Sequence, residues 1–360
     1  MSVTLRFCGA TQTVTGSCYL LQTRSGRFLI DCGLFQGQKT LKELNYRPFP
    51  FNPADVDVAL LTHAHIDHSG LLPKLTREGF KGRILATRGT IDLCSYMLPD
   101  AGSIQESEVA ALNRRNAARR RPTVSPIYTQ ADALASLQSF RPVEYEIWAD
   151  VVPGVRARYW NAGHLLGSAS IELEFAGEGV SGQPLRLLSS GDIGPDAKLL
   201  QPDPEAPSGF DYVLSESTYG DRIRAAITPQ QRRQRLAGEV NDAAAAQGAL
   251  LIPAFAVERT QELIIDLVDL MERGEIPIAP IFLDSPPRDT RDRSVSKARC
   301  EPGSSYRCQP LAQFAAPPVH GNCRRKQVDR ETHWLPHHHC RQWHVRRRPY
   351  SAPSQALVME

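Results

Sequence analysis

The sequence predicts a mixed α/β protein built as two successive domains. Three observations carry that expectation. Short apolar, β-branched runs alternate with helical stretches along the first 286 residues. Every histidine in that stretch lies in one of two clusters, His63, His65 and His68 in the first and His164 in the second. A Pro-rich break, Gln201-Pro202-Asp203-Pro204-Glu205-Ala206-Pro207, then separates a strand-rich front from a βαβ pattern.

Taken in order, strands are expected near 3–7, 18–22, 27–31, 57–61, 83–86, 155–160, 170–175 and 185–190, with helices after Ser69 and through 89–118. The first strand starts almost at Met1, without the basic start and apolar core of a signal peptide. The first domain then spans 1–205. From Asp211 a strand, a helix near 229–246, a strand at 249–253 and a helix at 257–273 open a partial second domain over 206–286. Gly248 and Gly274 sit where helix C-terminal caps belong. A chain of 360 residues has room for two cores. Hydrophobic content of 41% and charge of 22% are those of an ordinary soluble protein. No apolar run reaches the roughly 18 residues of a membrane span. Cys8, Cys18, Cys32 and Cys94 show no paired spacing and are expected as reduced thiols in the cytoplasm.

Imidazole and carboxylate are first-choice zinc ligands. The run Asp57-Val58-Ala59-Leu60-Leu61 reads as a strand, so His63 and His65 fall two apart on one face of an extended turn. Asp67 and His68 follow where the chain turns into a helix. Two ligands aimed at one metal and two at its neighbour suit a dinuclear centre. A later strand, Arg186-Leu187-Leu188-Ser189-Ser190, delivers Asp192 at its C-terminal end, and one carboxylate can bridge two cations. Phe28-Leu29-Ile30 ends at Asp31, placed to accept a hydrogen bond from a ligand histidine. Taken alone, Asp31 also suits a turn or cap. A lone His or Asp at a strand end is most often structural. The run His-x-His-x-Asp-His, joined by a later Gly-His and a strand-end Asp, is far more specific.

These residues, with Gly9-Ala10-Thr11, Thr15-Gly16-Ser17 and Asp31-Cys32-Gly33-Leu34-Phe35-Gln36-Gly37, resemble the metallo-β-lactamase superfamily. The resemblance implies an αββα sandwich with two zinc ions at one edge. His63, His65 and His164 would hold one, Asp67 and His68 the other, and Asp192 would bridge them. Asp211-Tyr212-Val213-Leu214-Ser215-Glu216-Ser217-Thr218-Tyr219-Gly220-Asp221 looks like the first motif of the β-CASP branch. Residues 251–263 and 281–286 continue that match. Members of the branch are nucleic-acid hydrolases, and the bacterial ones mostly act on RNA. The resemblance therefore implies a cytoplasmic ribonuclease that takes single-stranded RNA, involves no membrane, admits a homodimer, and activates water between two metals. Asp67, Asp192 and Glu216 would be its catalytic carboxylates. Glu216 in isolation would be a surface carboxylate. Two other functions stay open: a hydrolase of thioesters or other small substrates, and a non-catalytic RNA-binding pseudoenzyme.

Charge adds little. Arg114, Arg115, Arg119, Arg120 and Arg121 close a helix, where they suit its dipole or an RNA phosphate. Residues 287–360 differ from the rest. They hold 12 Arg and 2 Lys against 6 acidic residues, a net of +8, which leaves −5 on the first 286 from a whole-chain +3. They show no periodicity and are expected not to fold natively. A frameshift is the expected explanation. Residues 287–297 have a back-translation that, read one base out of register, spells Leu-Ala-Ile-Arg-Ala-Thr-Glu-Val-Phe-Arg. Residues 337–352 at the same offset spell Ile-Ile-Ile-Ala-Ala-Ser-Gly-Met-Cys-Asp-Ala-Gly-Arg-Ile-Arg. Both look like β-CASP continuations, the second leading to that motif's histidine. The alternatives are a phosphate-binding basic tail and a metal-binding run at His337-His338-His339. The frameshift would remove the last ligand of the second zinc and the strands that close the sandwich. The first zinc is then expected to bind better than the second, with impaired activity.

Overall fold

The apolar runs of the N-terminal half owe their continuity to burial on both faces. The computed structural model describes residues 3–205, 207–223, 227–284 and 354–359. Its first sheet has the order β1 (Thr4–Phe7), β2 (Tyr19–Gln22), β3 (Arg27–Ile30), β4 (Val58–Leu60), β5 (Arg83–Thr87), β6 (Phe140–Val143). β1 to β3 are antiparallel, and β3 to β6 run parallel. Between them lie α1 (Lys39–Lys42), α2 (Ile66–Ser69), α3 (Leu72–Arg77), α4 (Arg88–Ala118) and α5 (Gln130–Ser136). The second sheet joins β7 (Ala149–Val152), β8 (Val155–Asn161), β9 (Ala169–Phe175) and β10 (Leu185–Ser189) as antiparallel neighbours.

Alternation along each strand sorts its side chains into two cores. Phe28, Ile30, Val58, Leu60 and Leu85 meet Ala157, Tyr159, Ile171, Leu173 and Phe175 between the sheets. Leu29, Ala59, Leu61, Ile84 and Ala86 face the other way, onto Leu72 and Leu75 of α3 and Cys94 and Leu98 of α4. Tyr159 joins the layers directly, its hydroxyl donating to the Leu85 carbonyl at 2.9 Å. The outward face of the second sheet is polar. There the buried Glu172 accepts from Arg158, Arg186 and Trp160. Among the described residues no apolar cluster joins a helix to that face.

A separate apolar cluster forms around Ala237, Val240, Leu267, Leu270, Ile276 and Ile281. It is built from α6 (Pro229–Ala245), β12 (Leu250–Phe255), α7 (Arg259–Glu272) and β13 (Ile281–Asp284). Thr228 caps α6 through a reciprocal pair of bonds with Gln231. β14 (Ser354–Met359) pairs antiparallel with both β12 and β13, so those two run parallel to each other. It is the described part of the tail. The expected frameshift otherwise falls on 285–353, outside the described residues.

Three details go beyond the expectations. The strand Tyr212–Leu214 (β11), expected within 206–286, extends the second sheet parallel to β10, because Asp211 and Ser190 close the backbone ladder at either end. β6 and β7 were not expected. Both are short edge strands, and Pro142 in β6 hides it from a period-two search. After α6 the left-handed position is taken by Gln247 (φ 52°) instead of Gly248, whereas Gly274 (φ 69°) follows α7 as expected.

Candidate metal centre

Four of the expected ligands, His63, His65, His164 and Asp192, come together at one edge of the sandwich. β4 ends at Leu60, and Thr62 to His65 continue it as extended chain into α2, which carries Asp67 and His68. β8 ends at Asn161 and delivers His164, whose N–H donates to the buried Ser168 Oγ at 2.9 Å. β10 delivers Asp192. Two glycines permit the close packing. A Cβ on Gly33 would sit 1.6 Å from the Asp67 carbonyl oxygen, and one on Gly194 would sit 1.8 Å from that of Gly163.

One ligand atom each from His63, His65, His164 and Asp192 lie within 4.8 Å of one another. His65 Nδ1 is 3.1 Å from both His63 Nε2 and His164 Nε2. Asp192 Oδ2 is 3.8 Å from His63 Nε2 and 3.5 Å from His164 Nε2. Burial comes first in lowering all three imidazoles, well below the usual range for His63 and to about 4 for His65 and His164. They are therefore neutral. His65 Nδ1 has at most one hydrogen and cannot satisfy both neighbours. Converging nitrogen lone pairs beside a carboxylate are the donor set of a zinc-like cation, so the residues fit one. His63 is fully buried, while His164 and Asp192 side chains are 25% and 27% exposed, so the cluster opens on their side.

Asp31 organises the cluster from below. It is buried, at φ 59°. Its Oδ1 accepts from the Thr62 N–H at 2.8 Å, and its Oδ2 accepts from Ser17 Oγ at 3.2 Å and His68 Nδ1 at 2.7 Å. Thr62 Oγ1 lies 3.0 Å from each carboxylate oxygen and 3.0 Å from His63 Nδ1. The threonine hydrogen goes to the carboxylate, so Oγ1 accepts from His63 Nδ1–H. That leaves His63 Nε2 as a lone pair aimed into the cluster.

His68 stands apart from the four. Its Nε2 is 3.2 Å from Asp192 Oδ1. Burial opposes its charge, but the Asp31 and Asp192 carboxylates together hold it well above the usual range. A cation at Nε2 must displace that proton. Asp192 is held below the usual carboxylate range by the surrounding imidazoles, His68 foremost, against burial. Asp67 is not in the four-atom group, and burial raises its carboxyl. Glu216 reaches the residue after Asp192: its Oε1 accepts the Ile193 N–H at 2.9 Å, and its own N–H donates to Ser190 Oγ. Arg114, Arg115 and Arg119 to Arg121 are exposed at the far end of α4, a 31-residue helix. Sequence reasoning gave no bonding role to Ser17, Thr62, Ser168 or Lys198, all of which bond to the cluster's scaffold. Ser17 stood in the Thr15-Gly16-Ser17 motif, and Thr62 was a polar residue ending an apolar run just before His63.

A profile described as the metallo-beta-lactamase superfamily matches residues 12–218. The chain is 39% identical over 279 residues to Ribonuclease TTHA0252 of Thermus thermophilus, covering 77% of this chain and 57% of that one. It is 30% identical over 278 residues to Transcription termination factor FttA of Methanosarcina mazei, covering 77% and 41%. It is 30% identical over 276 residues to Cleavage and polyadenylation specificity factor 73 of Drosophila melanogaster, covering 75% and 37%. The chain thus spans 37% to 57% of the length of these relatives. It belongs to the metallo-beta-lactamase superfamily. Within it, the similarity falls in the β-CASP branch. Among the described residues no helix is long and apolar enough to cross a membrane.

Proposed function

We propose that this chain is a zinc-dependent phosphodiester hydrolase acting on single-stranded RNA. The convergence of His63, His65, His164 and Asp192 within 4.8 Å carries the metal part of the reading. The similarity to a protein named as a ribonuclease supports the RNA part. His63, His65, His164 and Asp192 would hold one ion. Asp67 and His68, with Asp192 as bridge, would hold a second, weaker one, because His68 must first give up a shared proton. When bound, the metal supplies Lewis-acid polarisation of a phosphoryl oxygen and acidifies water toward neutrality.

The chain's own groups do the rest. The buried His63 and the Asp31–Thr62 pair fix ligand direction without a solvent path. The open side at His164 and Asp192 admits the phosphodiester. Asp192, held below the usual carboxylate range, stays ionised, and its Oδ1 faces the His68 Nε2 proton that a second ion would displace. Glu216 fixes the Ser190–Ile193 turn that presents Asp192. Zinc content of the purified 360-residue chain, with cleavage of labelled single-stranded RNA before and after chelation, tests the reading. At least one zinc per chain and weak, zinc-restored cleavage are expected. Hydrolysis of a thioester substrate without RNA cleavage would move the function to the small-substrate class. RNA retention with no zinc-dependent cleavage would leave a binding protein only.

A further inference from the structure

Lys198 is the one cation that reaches the main chain of a cluster histidine among the described residues. Its Nζ donates to the His164 carbonyl oxygen at 2.6 Å. The same Nζ pairs with the Glu258 carboxylate, and both side chains are only 7% exposed. Glu258 stands in the turn from β12 to α7, remote in sequence from the sandwich. The adjacent bonds run the same way, with the Leu199 N–H donating to Glu262 Oε1 at 3.3 Å and Val257 packing against the helix-side core.

The local conformations suggest that this contact is imposed and not incidental. Glu258 has φ 66° and ψ −58°, a left-handed backbone that favours glycine. Its second oxygen, Oε2, is buried without a hydrogen-bond partner. A buried lysine–carboxylate pair adds little net stability, since desolvation offsets the attraction, yet losing one partner strands the other. What the pair fixes is direction. His164 is clamped at both ends of its backbone, by Ser168 Oγ at the N–H and by Lys198 Nζ at the carbonyl.

We propose that Lys198 is a positioning residue, held by Glu258 of the β12–α7 turn, that sets the His164 ligand and so couples the second α/β unit to metal affinity. The proposal rests on the metal-centre reading above. The latch holds the His164 backbone, and Lys198→Arg keeps the positive charge that also bears on the His65 and His164 rings.

Cobalt(II) titration of the chelator-treated full chain, followed by its visible absorption, tests it. Lys198→Met is expected to raise the cobalt dissociation constant about 10-fold, the scale of lost ligand support, and to shift the ligand-field bands. Lys198→Arg restores most of both, because a cation again spans the carbonyl and the carboxylate. Arg273→Met, which removes only an exposed ion pair at the end of α7, leaves both unchanged. Wild-type affinity and spectrum in Lys198→Met, or a change no larger than in Arg273→Met, overturns the latch. Should Lys198→Met not fold, Glu258→Gln carries the same comparison, with a smaller loss expected and an unchanged titration overturning. A wild-type chain that binds no cobalt refutes the metal centre itself and the latch with it, a result distinct from a wild type that binds and variants that do not differ.

Discussion

Removing the Asp31 carboxylate tests the scaffold beneath the cluster most directly. In Asp31→Ala the Ser17 and Thr62 hydroxyls can turn to other acceptors. The Thr62 N–H and the His68 Nδ1–H cannot, because both are buried and fixed in direction. Each stranded buried donor costs about 1–3 kcal/mol. Breaking a buried ion pair on one side costs about 3–5 kcal/mol, and the two estimates overlap near 4. Alanine at φ 59° adds about 1–2 kcal/mol, a cost that aspartate reduces through its local hydrogen bonds. A total near 5 kcal/mol is a large share of the roughly 5–15 kcal/mol that holds a domain folded. Asp31→Asn keeps an acceptor for the Thr62 N–H and tolerates the left-handed backbone. Its amide can donate to His68 once that ring shifts its proton to Nε2, so its loss is about 1–2 kcal/mol. Urea unfolding of the metal-free protein, followed by far-UV circular dichroism, reads both. Equal destabilisation by Ala and Asn, or a loss under about 1 kcal/mol in Ala, would refute the hub.

Other expectations follow from the same geometry. Burial holds His65 and His164 to about 4, while the unfolded chain protonates them near 6.5. They leave stability unchanged above that range and lower it as pH falls from 6.5 toward 4, by at most about 1.4 kcal/mol per pH unit per proton. His68 acts oppositely, its contribution present below 6.5 and lost as pH rises through its raised folded value. His164→Gln should therefore flatten the fall between pH 6.5 and 4.5 in urea titrations, and parallel curves for the two proteins would count against the assignment. Tyr159→Phe should cost only about 1 kcal/mol by thermal unfolding, because the Leu85 carbonyl still accepts the Leu61 N–H at 2.9 Å; a loss above about 3 kcal/mol would mean that the hydroxyl does more. Sequencing the gene across codon 287 should reveal one extra base or two missing ones, and an out-of-register frame broken by stop codons would end the frameshift proposal.

The residues of the candidate metal centre were legible because they are local. The His63 to His68 spacing, the Gly-His pair at His164 and the strand-end Asp192 each declare themselves within a few positions. Most strands also stood out, because burial on two faces leaves unbroken apolar runs such as Phe28-Leu29-Ile30. Edge strands did not, since β6 and β7 need only one neighbour and carry Pro142 and Asp150 without penalty. β11 was legible as a strand, but nothing in Tyr212-Val213-Leu214 says that it will join the edge of the second sheet beside β10.

The sequence by itself determined which side chains can bind a cation, and most of the strands that carry them. The tertiary structure decided how they are sorted. It set His68 apart with Asp31 and Asp192, made Thr62 the link between Asp31 and His63, and brought Lys198 onto His164. The physical reason is separation along the chain. Asp31 and Thr62 are 31 residues apart, His65 and His164 are 99 apart, and Lys198 and Glu258 are 60 apart. Such groups meet only once the strands have paired and the sheets have closed, and no local pattern records the meeting.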